Sequence, residues 1–162
     1  MTNAQTQYLL EKLHLFRSSY HNTGVLLSKL LKDIDAKVLV IPQQLLKEYV
    51  AQSRRRFGNH TRKGRLQDEL ETELCGILTS LKRDFPYFTK EEISIICYSA
   101  AGFPDYLIAR LSNVCSAKRV STIRCQLIDL IKNTGLEKRD IYLAMLTTEQ
   151  KMRKEVSGRN VC

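Results

Sequence analysis

Apolar residues near the start of the chain recur at alternating steps of four and three, Leu9, Leu13, Phe16 and Tyr20, which gathers them on one face of a helix. That face predicts packing against the body of the same chain, because a stripe this short makes a weak zipper with a second copy. Asn22-Thr23-Gly24 predicts an interruption, after which VLLSKLLKDI resumes the pattern. Pro42, with no amide hydrogen to donate, predicts a further break. Gln43 to Ser53 reads as a third helix with Leu45, Leu46, Tyr49 and Val50 on one side.

From Arg54 to Arg65 the run RRRFGNHTRKGR holds six Lys and Arg residues, no acid and two glycines, a loop by its composition. Leu66, Leu70, Leu74, Ile77 and Leu81 then predict one helix, whose early acids Asp68, Glu69, Glu71 and Glu73 complement its dipole and which Phe85-Pro86 ends. Thr89 followed by Glu92 is a capping-box pattern, with Phe88 and Ile93 placed as a staple. The helix it starts turns Ile93, Ile96, Cys97, Ala100 and Ala101 inward and closes at Gly102. A short helix follows from Pro104-Asp105, with Leu107, Ile108 and Leu111, and turns at Ser112-Asn113. Ser116 caps a third helix with an inner stripe of Val120, Ile123, Leu127 and Leu130 or Ile131. Asn133-Thr134-Gly135 closes this unit. Leu136 to about Lys154 reads as a last amphipathic helix, carrying Ile141, Ala144, Met145 and Thr148 on one side, and SGRNVC as a frayed end.

With seven glycines and three prolines in 162 residues, and 43% hydrophobic residues, the chain reads as all-α, a helical bundle with a C-terminal helix-turn-helix-like trihelical unit. Three parts are expected: residues 1–65, helical and ending in the basic loop; 66–135, the trihelical unit with its lead-in helix; and 136–162, a helix and tail.

Twenty-six Lys and Arg against 17 Asp and Glu give a formal charge of +9 and a pI near 9.4, which favours a polyanionic partner. No apolar run suits a membrane span and MTNAQTQYLLEKLH is no signal peptide, so a cytoplasmic protein is expected. Cys75, Cys97, Cys115, Cys125 and Cys162 form no Cys-x-x-Cys pair; free, buried or half-buried thiols are expected, with no metal. His14, His21 and His60 stand apart. Cys75 in an acidic helix is a poor nucleophile, and Gly58 and Gly64 lack the Gly-Lys-Ser/Thr ending of a P-loop. No enzyme, cofactor or small-molecule substrate is indicated.

A helix-turn-helix needs a small residue where its helices cross, apolar residues that fix the crossing, and polar or basic residues at the exposed start of the second helix. Ala109, the set Val114, Val120 and Leu127, and the series Ser116, Lys118, Arg119, Ser121, Thr122 and Arg124 meet these needs. Double-stranded DNA is the expected partner, read by that series, with Arg54, Arg55, Arg56, Arg62, Lys63 and Arg65 as phosphate contacts. A homodimer would suit two half-sites. The alternative is a helical adaptor that binds another protein through a degenerate unit; RNA binding would use the same charge.

Phe85-Pro86, Lys90-Glu91-Glu92 and Ala101-Gly102-Phe103 with Cys97-Tyr98 before it resemble the C-terminal helix-turn-helix-like domain of regulatory proteins from Bacteroides-type bacteria, often joined to tetratricopeptide repeats and a membrane helix. The likeness covers roughly residues 84–130 and extends more loosely to LuxR-type regulators and region four of sigma factors. It implies DNA binding by a transcription regulator and carries to Arg124. Ile123-Arg124-Cys125-Gln126-Leu127 stands where that family has Arg-Lys-Ser-Arg-Leu, so Ile123 and Gln126 are departures. Lys118 and Arg119 rest on charge and position alone. The repeats and the membrane helix have no counterpart here, which suggests a stand-alone regulator or the output part of a larger design.

Overall fold

A computed structural model describes residues 1–36, 48, 51 and 65–147. Among the described residues the chain forms helices and no strand: α1 (Asn3–Asp35), α2 (Arg65–Glu73), α3 (Ile77–Asp84), α4 (Lys90–Ala100), α5 (Asp105–Leu111), α6 (Ala117–Lys132) and α7 (Arg139–Leu146). The helix expected from Gln43 to Ser53 lies outside the described residues apart from Glu48 and Ala51, both helical.

A capping box starts α1: Gln5 N–H donates to the Thr2 hydroxyl at 3.2 Å, and Thr2 N–H to the Gln5 side chain at 2.9 Å. The predicted stripe buries Leu9, Leu13 and Phe16 and continues through Leu27, Leu31 and Ile34, packing within the chain. The interruption expected at Asn22-Thr23-Gly24 is absent, and α1 runs unbroken for 33 residues, about 50 Å. Gly24 is there for room. A Cβ on it would stand 2.5 Å from Cδ1 of Phe103, so the ring lies directly on the helix backbone and tertiary packing offsets glycine's poor helix propensity.

The single helix expected over 66–81 is two. Cys75 (φ 51) and Gly76 (φ 80) adopt left-handed conformations between them. Glu71 turns back over the break, its carboxylate accepting from Leu78 N–H at 2.6 Å and from Thr79 N–H at 3.2 Å. This acid therefore caps α3, and Asp68 is the acid in the first turn of α2. Leu66, Leu70, Leu74, Ile77 and Leu81 are all buried across the break, so the hydrophobic pattern was legible and the bend was not.

α4 forms the centre. Thr89 and Glu92 make the predicted capping box, at 3.2 and 2.7 Å. Its end is a Schellman turn, with Phe103 N–H donating to Tyr98 C=O at 3.1 Å and Gly102 N–H to Ser99 C=O at 3.0 Å, and with Gly102 left-handed at φ 75. One inward face was expected, but every residue from Ile95 to Phe103 is buried, as befits a helix packed by α1, α2, α5, α6 and α7. Arg17 of α1 ties two helix ends together. Its guanidinium donates to Ala144 C=O at 2.8 Å near the end of α7, and to Ala100 C=O at 3.3 Å at the end of α4. α7 begins at Arg139 rather than Leu136; Thr148 and the expected continuation lie outside the described residues.

Candidate nucleic-acid interface

Pro104, extended at φ −64 and ψ 149, leads into α5, where its missing amide hydrogen costs nothing. α5 ends at Ser112, and Asn113 takes a left-handed φ of 55, which asparagine tolerates better than most residues. Val114 N–H closes the turn onto Ala109 C=O at 3.0 Å, and Ala109 is buried. Ser116 then caps α6, its hydroxyl accepting from Arg119 N–H at 3.1 Å. A helix, a five-residue turn and a second helix thus follow one another as the sequence pattern predicts.

Ser116, Lys118, Arg119 and Thr122 are exposed, and Ser121 is half-buried. The Thr122 hydroxyl donates to Lys118 C=O at 3.0 Å. No acid occupies the first turn of α6, and neither Lys118 nor Arg119 makes an ion pair among the described residues. Two cations at a helix N-terminus run against the dipole, so this end of α6 presents uncompensated positive charge. Gln126, one helical turn beyond Thr122, is exposed in the same line. Sequence reasoning passed over it as a lost basic position, although its four-residue spacing from Thr122 was the available signal.

Arg124 requires correction. Expected on the surface, it is 4% exposed. Its Nε donates to the Ser99 hydroxyl of α4 at 3.2 Å, and its Nη2 lies 2.5 Å from Oδ1 of Asp105 at the start of α5. Nη2 makes no well-aligned hydrogen bond, so charge more than geometry holds the pair. Arg124 occupies the inner stripe with Val120, Leu127, Ile128 and Ile131; Ile123 is half-buried and Leu130 exposed. It positions α6 and is unavailable to a ligand.

Among the expected phosphate contacts, Arg54, Arg55, Arg56, Arg62 and Lys63 lie outside the described residues. Arg65 opens α2, and its Nε pairs with Glu69 Oε1 at 3.0 Å while the side chain stays largely exposed. At the other end of α5, Arg110 Nη2 lies 3.6 Å from Asp35 Oδ1, and Tyr106 donates its hydroxyl to the same carboxylate.

The cysteines follow expectation at Cys97 and depart from it at Cys75 and Cys115, which are exposed. Cys75 and Cys115 are exposed free thiols, Cys97 is a buried one, and Cys125 is half-buried on α6; Cys162 lies outside the described residues. Burial pushes the Cys97 thiol up to about 12. His21 Nδ1 lies 3.0 Å from Gly102 C=O, adding to the α4 terminus; His60 lies outside the described residues. Among the described residues, no three His, Cys, Asp or Glu side chains gather to hold a metal, and no helix is long and apolar enough to cross a membrane. Compared with known proteins, the chain matches no family model, no curated protein and no solved structure.

Proposed function

We propose that this chain is a DNA-binding regulator that lays the N-terminal half of α6 in the major groove. The observation that carries the reading is the exposed line of Lys118, Arg119, Thr122 and Gln126, which holds two unpaired cations and no acid before Asp129. Lys118 and Arg119 suit phosphate or guanine, and Gln126 suits the paired acceptor and donor of adenine. Arg124 acts behind this face by fixing α6 to α4 and α5. A preferred sequence in selection from random duplexes, lost on Gln126→Ala and Arg119→Ala, is the expected result. Equal retention of all sequences by the folded protein would remove the base-reading role.

A second reading, a protein-binding adaptor, draws on Tyr8, Leu15, Val25 and Leu26, large apolar side chains exposed on α1. It is favoured if duplex DNA is bound no better than other polyanions.

A further inference from the structure

Arg110 sits in the last turn of α5, six residues ahead of the α6 cap, and is 39% exposed. Its acidic neighbour is Asp35, in the last turn of α1, at 3.6 Å, too long for a hydrogen bond. An exposed pair of this kind is weak and easily exchanged. Asp35 is nevertheless held in place. The Tyr106 hydroxyl donates to it, and Lys32 lies 5.4 Å from the centre of the Tyr106 ring, anchoring the end of α1 on α5. A fixed carboxylate thus stands on an arginine beside the turn that leads into the proposed DNA-reading helix.

Resting on the DNA-binding reading, we infer that Arg110 is a further phosphate contact and that Asp35 occupies it in the free protein as an internal competitor. When a duplex docks, a backbone phosphate takes the guanidinium from Asp35. No bond is made or broken, and one ion pair replaces another. Phosphate is the stronger partner here because it can offer arginine two oxygens, whereas Asp35 reaches Arg110 with Oδ1 at 3.6 Å while its Oδ2 accepts from Tyr106. The remaining carboxylate repels the backbone, so the end of α1 sets the affinity of an interface whose other contacts lie on α6. Any change in the chain that lifts α1 off α5 would tighten DNA binding.

Asp35→Asn removes the competing charge and keeps an oxygen to accept from Tyr106. Titrated against a 20-base-pair duplex at low salt, this variant is expected to bind about three- to tenfold more tightly than the native protein. The gain disappears in an Arg110→Ala background. Arg110→Ala alone lowers the slope of log K against log salt by about one. Asp33→Asn, which makes the same charge change two residues earlier, leaves affinity nearly unchanged.

If the native protein binds duplex through Lys118 and Arg119 while Asp35→Asn changes nothing, the competitor role is overturned and the DNA reading stands. Equal gains from Asp33→Asn and Asp35→Asn, independent of Arg110, overturn it as well, because general charge then explains them. Absence of duplex binding by every variant overturns the DNA reading and this inference together. Should Asp35→Asn fail to fold, the slope for Arg110→Ala decides.

Discussion

Arg124 and Asp105 face each other across the α5–α6 turn, Nη2 to Oδ1 at 2.5 Å, with the arginine buried and the aspartate one-third exposed. The pair joins the start of one helix to the middle of the next, and Ser99 on α4 receives the same guanidinium. Three helices therefore share one cation. Arg124→Ala leaves Asp105 and Ser99 without it and is expected to lower unfolding stability by about 2–3 kcal/mol, below the range for a fully buried pair because water reaches Asp105. Lys118→Ala should stay within about 0.5 kcal/mol of the native protein. Urea unfolding of the two variants checks the contrast.

Gly24→Ala would stabilise an ordinary exposed helix by about 1 kcal/mol. Here the added carbon meets the Phe103 ring at 2.5 Å, and overpacking of this kind costs about 1–3 kcal/mol. A net loss is expected in thermal unfolding. In a Phe103→Leu background the substitution should become neutral or stabilising, because the ring that it strikes is gone.

Arg17→Met keeps much of the aliphatic stem and deletes donors to Ala100 and Ala144 C=O. Charged hydrogen bonds contribute about 1.5–3 kcal/mol each, less where water competes, so a loss of about 2 kcal/mol is expected. Amide exchange should rise selectively at the C-terminal turns of α4 and α7.

Cys97 gives a pH-dependent readout. The folded protein holds its thiol proton to about 12, while an ordinary thiol releases it near 9.0. The neutral thiol's contribution is therefore complete below pH 9 and is lost as pH rises from 9 to 12. Iodoacetamide at neutral pH should label exposed Cys75 and Cys115 in the folded protein and reach Cys97 only on unfolding. Labelling of Cys97 at the rate of Cys75 would contradict its buried position. Bound duplex should slow labelling of Cys115, which lies next to the α6 cap.

Local rules were legible wherever chain neighbours decide the outcome. The Thr89 box, the Gly102 turn and the Ser116 cap each depend on residues within a few positions of one another. Tertiary contacts decided the rest. Gly24 looked like a stop because its partner, Phe103, lies 79 positions away. The stripe from Leu66 to Leu81 hid a bend because two helices sharing one buried side keep the same spacing. Arg124 reads as a surface residue in the sequence because charge usually lies there, and its partners, Ser99 and Asp105, belong to other helices. The relevance of Arg110, Asp35 and Gln126 is not legible in the sequence because it depends on which face each helix turns outward.

On the proposed reading, the exposed start of α6 meets the DNA backbone and bases through Lys118 and Arg119. The most direct test is fluorescence-anisotropy titration of a duplex across a salt series, comparing the native protein with Lys118→Ala/Arg119→Ala. The expected result is a folded double variant with weaker duplex binding and a slope of log K against log salt that is shallower by about two. An unchanged slope and affinity in the folded variant would contradict it.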